Sequence, residues 1–370
     1  MRAAVIERQR EAMARERLDA LIAISPENFA YTTGFVIPSQ PLMRWRHNAA
    51  VVTRTALALL AVDMEATTVR SKAPDVELRV WGEFTDSPMG ALAGLLRDLA
   101  VADGAIGLEM DYLPAGDFAR LRELLPQARF IPAEKLYDRL RQLKTGEELD
   151  LLRRLSRIAD EAIGEAYASV QAGMTEMDLA AALTKGIYAR GAEYFKLMIV
   201  ATGERSEYPN VGPTHRALTR GDLCRVEIFP IIAGYHAGVC RTAVVQEAPP
   251  RAERIWRVLT ECKHIVFDLL RPGASTRAIY ESFLRKFGEL GLPSISFVGH
   301  GIGLHLHEEP YLGKYADSRL EAGMVLGIEP LVYGAGMGFG LQNKDMVAVT
   351  RTGFELLSDR TDTDRLIVVQ

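Results

Sequence analysis

The stretch from Val298 to Pro310 reads VGHGIGLHLHEEP, a glycine-rich turn that carries three histidines and two glutamates. Histidine transfers protons near neutral pH, so this stretch is a candidate catalytic segment. Because side chains alternate between the two faces of a strand, His305 and His307 share one face. We therefore expect at least one of the three histidines to be structural. Gly301 and Gly303 would let the backbone approach a ligand closely.

Three further stretches of the second half combine glycines with polar and charged residues. They are YPNVGPTHR at Tyr208–Arg216, GDLCRVEIFPIIAGYHAGVCRT at Gly221–Thr242 and GMVLGIEPLVYGAGMGFGLQNKDMVAVT at Gly323–Thr350. The order GHGIGLHLHEEP, GMVLGIEP and then a strand with Lys-Asp resembles the signature of the creatinase/prolidase/methionine aminopeptidase superfamily. The resemblance implies an α+β fold, with a C-terminal pita-bread domain built on a pseudo-two-fold repeat and a smaller N-terminal α/β domain.

Short apolar runs in the first part of the chain also predict a small α/β domain. Helical periodicity covers Arg2–Arg17 and Met89–Ala100. Strands that alternate with helices favour a largely covered sheet. The strands are predicted at Leu18–Ile24, Asn48–Thr53, Leu57–Ala61, Val76–Val80, Ala105–Glu109 and Arg129–Ile131.

The sequence pattern changes from short apolar runs to a long amphipathic stretch at Asp138–Ala168. We place the domains at 1–143 and 144–370, where a charged connection enters this stretch. The second domain contains two similar segments, AYASVQAGMTEMDLAAALTKGIYARGAE from Ala166 and VFDLLRPGASTRAIYESFLRKFGELG from Val266. They predict a duplicated α/β unit with a cleft between its halves. The alternative, that any two helix hairpins look alike, stays open.

Each of these two segments reads as a helix, a glycine turn, a Thr or Ser cap and a second helix. In the first segment, Thr175 with Asp178 resembles a capping box.

Metal-dependent members of the superfamily use two Asp, one His and two Glu to hold two divalent cations. The resemblance places these ligands at Glu227, Gly238, His300, Glu329 and Lys344. Gly238 offers no ligand, and a protonated lysine cannot ligate and would repel a metal. We therefore expect no metal and no other cofactor, with Lys344 pairing with Glu227 or Glu329 instead. A single ion on Glu227, His300 and Glu329 is the alternative.

The stretch Gly221–Thr242 also resembles creatinase, a metal-independent member. It shares the landmarks Phe229-Pro230, Gly234-Tyr235 and Arg241-Thr242. The functional residues of creatinase are only partly present. Its catalytic His falls on Asn210, and the two Glu that grip the guanidinium fall on Cys240 and Glu329. Its two carboxylate-binding Arg fall on Arg46 and Tyr311. Creatine is therefore not the expected substrate.

Strand alternation offers a replacement for the missing histidine. If position 238 points into the old metal site, His236 and Cys240 point there as well. His236 is then a candidate general base, or else a surface or dimer-facing residue. His215 is a second candidate, and His307 matches a family position that assists proton transfer or holds substrate. Cys240 is either a nucleophile beside a histidine or a buried, inert residue.

A basic, aromatic cluster, Arg44, Trp45 and Arg46, follows a proline-containing loop. In creatinase-like dimers this loop reaches the active site of the partner subunit, where it could clamp a carboxylate. The alternative is a solvated arginine pair beside a core tryptophan.

The composition excludes several classes of partner. The net charge of −4 does not favour electrostatic binding to nucleic acid or to an anionic membrane. The three cysteines form no CxxC pair, which fits a reducing cytoplasm. The N-terminus has no apolar core of a signal peptide, and no apolar run is long enough to span a membrane.

Together these features predict a cytoplasmic homodimer that hydrolyses a C–N bond without metal. The expected substrate is a small, polar, carboxylated molecule such as an amidine, cyclic amidine, lactam or unusual amide. One alternative is a metal-dependent Xaa-Pro peptidase, similar to prolidase or aminopeptidase P, with an eroded site. The other is a catalytically inactive pita-bread module that binds a partner.

Overall fold

Six short strands of the N-terminal part of the chain form one mixed sheet. The computed structural model describes residues 3–370, and the chain divides into two units between Arg141 and Gln142. The strands are β1 (Ala20–Ala23), β2 (Ala49–Thr53), β3 (Leu57–Val62), β4 (Glu77–Trp81), β5 (Ala105–Leu108) and β6 (Arg129–Pro132). Their order is β4-β3-β2-β1-β5-β6, with β1 parallel to β5 and antiparallel to β2.

The helices of this unit pack around a sheet whose central strand is buried along its whole length. They are α1 (Ala3–Glu16), α2 (Pro26–Thr33), α3 (Ala66–Lys72), α4 (Pro88–Asp98), α5 (Ala115–Leu124) and α6 (Glu134–Gln142). All four residues of β1 are buried, as expected for a strand covered on both faces. Ala20 and Ile22 of β1 belong to one core cluster with the buried apolar side chains of α4.

The six predicted strands are confirmed, each within two residues of its ends, because their apolar runs fill the covered sheet. The predicted helix Met89–Ala100 corresponds to α4. The first predicted helix corresponds to α1, and Arg2 lies outside the described residues. Ser25 caps α2 by accepting from the amide of Asn28, and Pro26 occupies the first turn.

The C-terminal unit contains four long helices, α7 (Gly146–Ser169), α8 (Glu176–Ala189), α9 (Pro250–Leu269) and α10 (Thr276–Phe287). Its strands are β7 (Tyr194–Thr202), β8 (Leu223–Ile232), β9 (Tyr235–His236), β10 (Val239–Val245), β11 (Phe297–Gly301), β12 (Glu308–Gly313), β13 (Val325–Ile328), β14 (Leu331–Val332), β15 (Leu341–Gln342), β16 (Asp345–Val349), β17 (Phe354–Leu356) and β18 (Ile367–Val369). One sheet has the order β18-β10-β8-β7, with β9 paired to β8. A second has the order β12-β11-β13-β16-β17, and β14 pairs with β15.

The predicted internal repeat is present in the structure. Each half begins with a helix pair, α7 with α8 and α9 with α10, and continues into a largely antiparallel sheet, although β18 pairs in parallel with β10. The turns inside the two pairs are alike, since Gly173 and Gly273 have φ of 90° and 83°, a conformation that favours glycine. Thr175 caps α8 in a capping box with Asp178, and Ser275 caps α10. The pseudo-two-fold repeat of the pita-bread fold is thus built from matching turns.

The amphipathic stretch from Asp138 to Ala168 does not form one continuous helix. It is divided into the end of α6 and the helix α7. Thr145 begins α7, because its side chain accepts from the amide of Glu148 while Glu148 bonds back to the amide of Thr145. This capping box fixes a helix start inside the apolar stripe.

The three cysteines of the chain, Cys224, Cys240 and Cys262, are all buried thiols. In the part of the chain that the structure describes, we find no helix with the length and apolarity needed to cross a membrane.

A buried ion cluster links helix α7 to both sheets of the C-terminal unit. Arg241 on β10 lies 3.0 Å from Asp160 of α7 and 2.9 Å from Asp345 of β16. All three side chains are at most 2% exposed. The Arg241 guanidinium also donates to the carbonyl oxygen of Lys344 at 2.8 Å. Arg241 therefore fixes the backbone that presents Lys344.

We expect the substitution Arg241→Met to destabilise the protein by about 3–5 kcal/mol, because it leaves two buried carboxylates without their cation. The measurement is a urea titration followed by circular dichroism. Arg220→Met is the matched control, since Arg220 pairs with Glu247 on the surface with both side chains exposed. Equal losses in the two variants would contradict a structural role for the buried cluster.

Candidate active site

Lys344 lies at the centre of a buried cluster of charges in the C-terminal unit. Its Nζ is 3.2 Å from Oε1 of Glu227 on β8 and 3.2 Å from Oε2 of Glu329, which follows β13. Lys344 itself lies between β15 and β16. Its backbone forms an antiparallel bridge with Cys240 of β10, with N–O distances of 3.1 and 3.2 Å. The two sheets therefore meet at this point, and each supplies one carboxylate.

The pKa values of Lys344 and Glu329 are both shifted towards the charged form. Burial alone would lower the pKa of Lys344, but the attraction of Glu329 and Glu227 outweighs it and raises that pKa. Burial alone would raise the pKa of Glu329, whereas Lys344 and His300 hold it well below its usual range. Lys344 is thus held as an ammonium between the side chains of Glu227 and Glu329.

Two histidines of the VGHGIGLHLHEEP stretch come together beside Glu329. The rings of His300 and His307 stack with centroids 3.7 Å apart. Nδ1 of His300 donates to the carbonyl oxygen of Gly301 at 2.7 Å, because that oxygen only accepts. Nε2 of His300 faces Oε1 of Glu329 at 3.1 Å. Within residues 3–370, neither of these two buried atoms has an aligned hydrogen-bond partner.

His307 is the member of this group that faces solvent. Its ring stacks on buried His300, so one face is withdrawn from water although the side chain stays partly exposed. This desolvation, followed by the charges of His300 and Lys344, lowers the pKa of His307 to about 4. The imidazole is therefore neutral over the physiological range.

Phe229 fills the space beside Gly238. A Cβ atom added at Gly238 would lie 2.3 Å from Cε1 of the Phe229 ring. The same ring lies under the Lys344 ammonium, whose Nζ is 4.9 Å from the ring centroid. A glycine at position 238 is therefore required by the packing of Phe229.

Sequence reasoning missed a set of polar residues that hold Glu329 and the loop before β8. Gln342 donates to Oε2 of Glu329 at 3.1 Å. Its own amide oxygen accepts from Arg225 at 3.2 Å and from the hydroxyl of Tyr333. Arg225 also donates to the carbonyl oxygens of residues 208 and 209. Strand alternation could have found Arg225, two residues before Glu227, and Gln342, two residues before Lys344.

His236 is buried, and its contacts tie it to the loop that carries the other histidines. Its Nδ1 lies 3.0 Å from the carbonyl oxygen of Gly303, and its amide donates to the same oxygen at 2.7 Å. The alternation argument assumed one continuous strand, but β9 ends at His236 and β10 begins at Val239. These contacts favour a role in positioning the loop.

Cys240 is buried, and its Sγ lies 3.8 Å from the carbonyl oxygen of Gln342. Burial raises the pKa of the Cys240 thiol well above its usual range. A protonated thiol is a poor nucleophile, so the structure favours the interpretation of a small buried residue.

The remaining candidates of the C-terminal unit lie at the surface or near it. The half-buried ring of Tyr311 is 6.0 Å from that of His307 and 6.2 Å from that of His300. Asn210 is exposed in the loop that Arg225 holds, and His215 is exposed close to Asp178. The structure therefore brings Tyr311 to the histidine pair.

The arginine cluster of the N-terminal unit is engaged within that unit. Arg46 makes a bidentate contact with Glu83, at 2.8 Å for both pairs of atoms. Trp45 donates to the same carboxylate at 3.3 Å, and the Arg44 guanidinium lies 5.9 Å from the ring centre of Tyr112. A substrate carboxylate would have to displace Glu83 to reach Arg46.

The sequence matches two known domain families. Residues 150–351 match the metallopeptidase family M24, and residues 6–143 match the creatinase/prolidase N-terminal domain. This chain belongs to the metallopeptidase family M24.

Individual members of the M24 family are similar over most of the chain. The probable dipeptidase PepE of Mycobacterium tuberculosis is 30% identical over 338 residues, which are 90% of this chain and 85% of that protein. A Xaa-Pro dipeptidase of Pyrococcus furiosus is 30% identical over 61% of this chain and 65% of its own length. The X-Pro aminopeptidase structure from Thermotoga maritima shares the fold, with a TM-score of 0.85, 24% identity and coverage of 98% and 99%.

These relatives overturn the expected substrate class. The prediction of a metal-independent hydrolase for amidines, lactams or unusual amides is wrong, because the similar M24 proteins are named as peptidases. The creatinase-like landmarks that favoured it are structural. Phe229 packs against Gly238, Tyr235 donates to Glu148, and Arg241 forms the buried ion cluster. Landmarks that maintain packing carry no information about substrate.

The two-ion group of metal-dependent M24 enzymes does not fit the residues present. Phe229 occupies the space of a ligand at position 238, and the Lys344 ammonium binds the two carboxylates that would face the ions. The donor atoms of His300, His307 and Glu329 lie within 4.8 Å of one another, which leaves a set of three for a single ion. The sequence analysis considered Glu227, His300 and Glu329 for a single ion. In the structure His307 takes the place of Glu227 in this set.

We expect Gly238→Ala to destabilise the protein by about 1–3 kcal/mol, because the new methyl group overlaps the Phe229 ring. In a Phe229→Ala background the same substitution should cost much less, since the ring is gone. Urea titrations of the four proteins of this double-mutant cycle measure the coupling. A cost at position 238 that is the same in both backgrounds would refute the packing argument.

Proposed function

We propose that this chain is a peptidase that hydrolyses short peptides, with dipeptides of the Xaa-Pro class as the first substrates to test. The observation that carries the proposal is the grouping of His300, His307 and Glu329, with the rings 3.7 Å apart and Nε2 3.1 Å from Oε1. The names of its M24 relatives support a peptide substrate.

Peptide hydrolysis needs a group that takes a proton from water and returns one to the leaving nitrogen. We assign this role to His307, because it is the solvent-facing member of the cluster. His300 supports its ring by stacking, and Glu329 is held in place by Lys344 and Gln342. The Tyr311 hydroxyl, a hydrogen-bond donor, is assigned to the substrate.

The other site candidates have supporting roles in this proposal. Glu227 balances Lys344, and His236 positions the loop that carries His307 through the carbonyl oxygen of Gly303. Asn210, on the exposed loop held by Arg225, is assigned to substrate contact. His215, Cys240, Arg44 and Arg46 keep no assigned role in the chemistry. A homodimer also belongs to the proposal.

We expect His307→Asn to lower the rate of dipeptide hydrolysis by about 100-fold or more, because proton transfer typically contributes that much. The assay follows Xaa-Pro dipeptides and proline-free dipeptides by chromatography, with divalent ions supplied throughout. Thermal midpoints of the variants check that folding is intact.

His264→Asn is the matched control, since His264 is exposed on α9 and contacts Asp364. It should keep the activity of the unmodified chain. Cleavage of none of the dipeptides by the unmodified chain would refute the peptidase proposal, and equal activity of His307→Asn and His264→Asn would refute the role of His307.

A further inference from the structure

The Lys344 side chain is buried and closely packed. It is 1% exposed, and its Cε would lie 2.9 Å from a Cβ atom added at Gly327, so the glycine makes room for it. The Phe229 ring lies on another side of the ammonium. The backbone of Lys344 is bound to Cys240 and Arg241. The side chain is therefore shielded from solvent and packed against both Gly327 and Phe229.

The charges of the cluster lead to the same conclusion. Glu227 and Glu329 supply two negative charges, and Lys344 already compensates one of them. Two divalent cations would leave a large positive excess in a buried site, where repulsion is poorly screened. With one divalent cation, the ion, Lys344 and the two carboxylates together would carry a net charge of only +1.

We propose that Lys344 replaces one of the two ions used by metal-dependent M24 enzymes, so that this chain binds fewer than two divalent cations. The ammonium supplies a fixed positive charge between the carboxylates. The Phe229 ring takes the volume that a ligand at position 238 would need. The replacement therefore involves three positions that act together, and it is independent of the proposed peptide substrate.

The test restores the missing ligands in the full-length chain. The restored variant carries Phe229→Ala, Gly238→Asp and Lys344→Glu, and Lys344→Met is the matched control that removes the charge without adding a ligand. Each protein is saturated with Mn²⁺, freed of excess ion, and analysed for manganese per chain by elemental analysis. We expect at most one ion in the unmodified chain and one more ion in the restored variant.

A thermal measurement covers the case in which the triple variant does not fold. Lys344→Glu alone adds a carboxylate, so added Mn²⁺ should raise its thermal midpoint by at least about 4 °C more than that of the unmodified chain. Two ions per unmodified chain would overturn the proposal. So would an equal Mn²⁺-induced rise of the thermal midpoint in Lys344→Glu and in the unmodified chain. Because no cleavage is measured, failure here is distinct from failure of the peptidase proposal.

Discussion

The buried ammonium of Lys344 imposes the constraint on which the site depends, because it needs carboxylates from both sheets of the C-terminal unit. Glu227 comes from the sheet of β8 and β10, and Glu329 follows β13 of the other sheet. The backbone bridge between Cys240 and Lys344 fixes the register at which the sheets meet. The next residue on each side, Arg241 and Asp345, forms a second buried ion pair. One register thus satisfies two sets of buried charges, and a slip by one residue would leave both uncompensated.

Much of this arrangement could be predicted from the sequence, and the limits have physical causes. Short apolar runs defined the N-terminal sheet, because a strand covered on both faces must be apolar throughout. The pairing of Lys344 with Glu227 or Glu329 was expected from the ligand positions that the family resemblance gave, and the structure shows a contact with each. The role of Gln342 was missed because an amide has no obvious partner until the strands are placed. The alternation argument for His236 depended on an unbroken strand, which the interruption between β9 and β10 removes.

The substrate class was predicted wrongly for a different reason. Residues that retain packing were treated as residues that recognise a substrate. Phe229 and Arg241 are the clearest cases, since one fills the volume beside Gly238 and the other neutralises Asp160 and Asp345. Local similarity of this kind reports how the sheet is filled. Exposed positions such as Asn210, to which we assign substrate contact, are not fixed by packing in this way.

Exchanging an ion for an ammonium changes which residues can do chemistry. A divalent cation can polarise a carbonyl group and lower the pKa of bound water, whereas a lysine that is 1% exposed contributes a charge from behind the carboxylates. The ammonium therefore holds Glu329, which in turn faces His300. The groups that face solvent at this point are His307 and the half-buried Tyr311. In the proposed peptidase the chemistry passes through the stacked histidine pair, with Lys344 as the fixed charge beside Glu329.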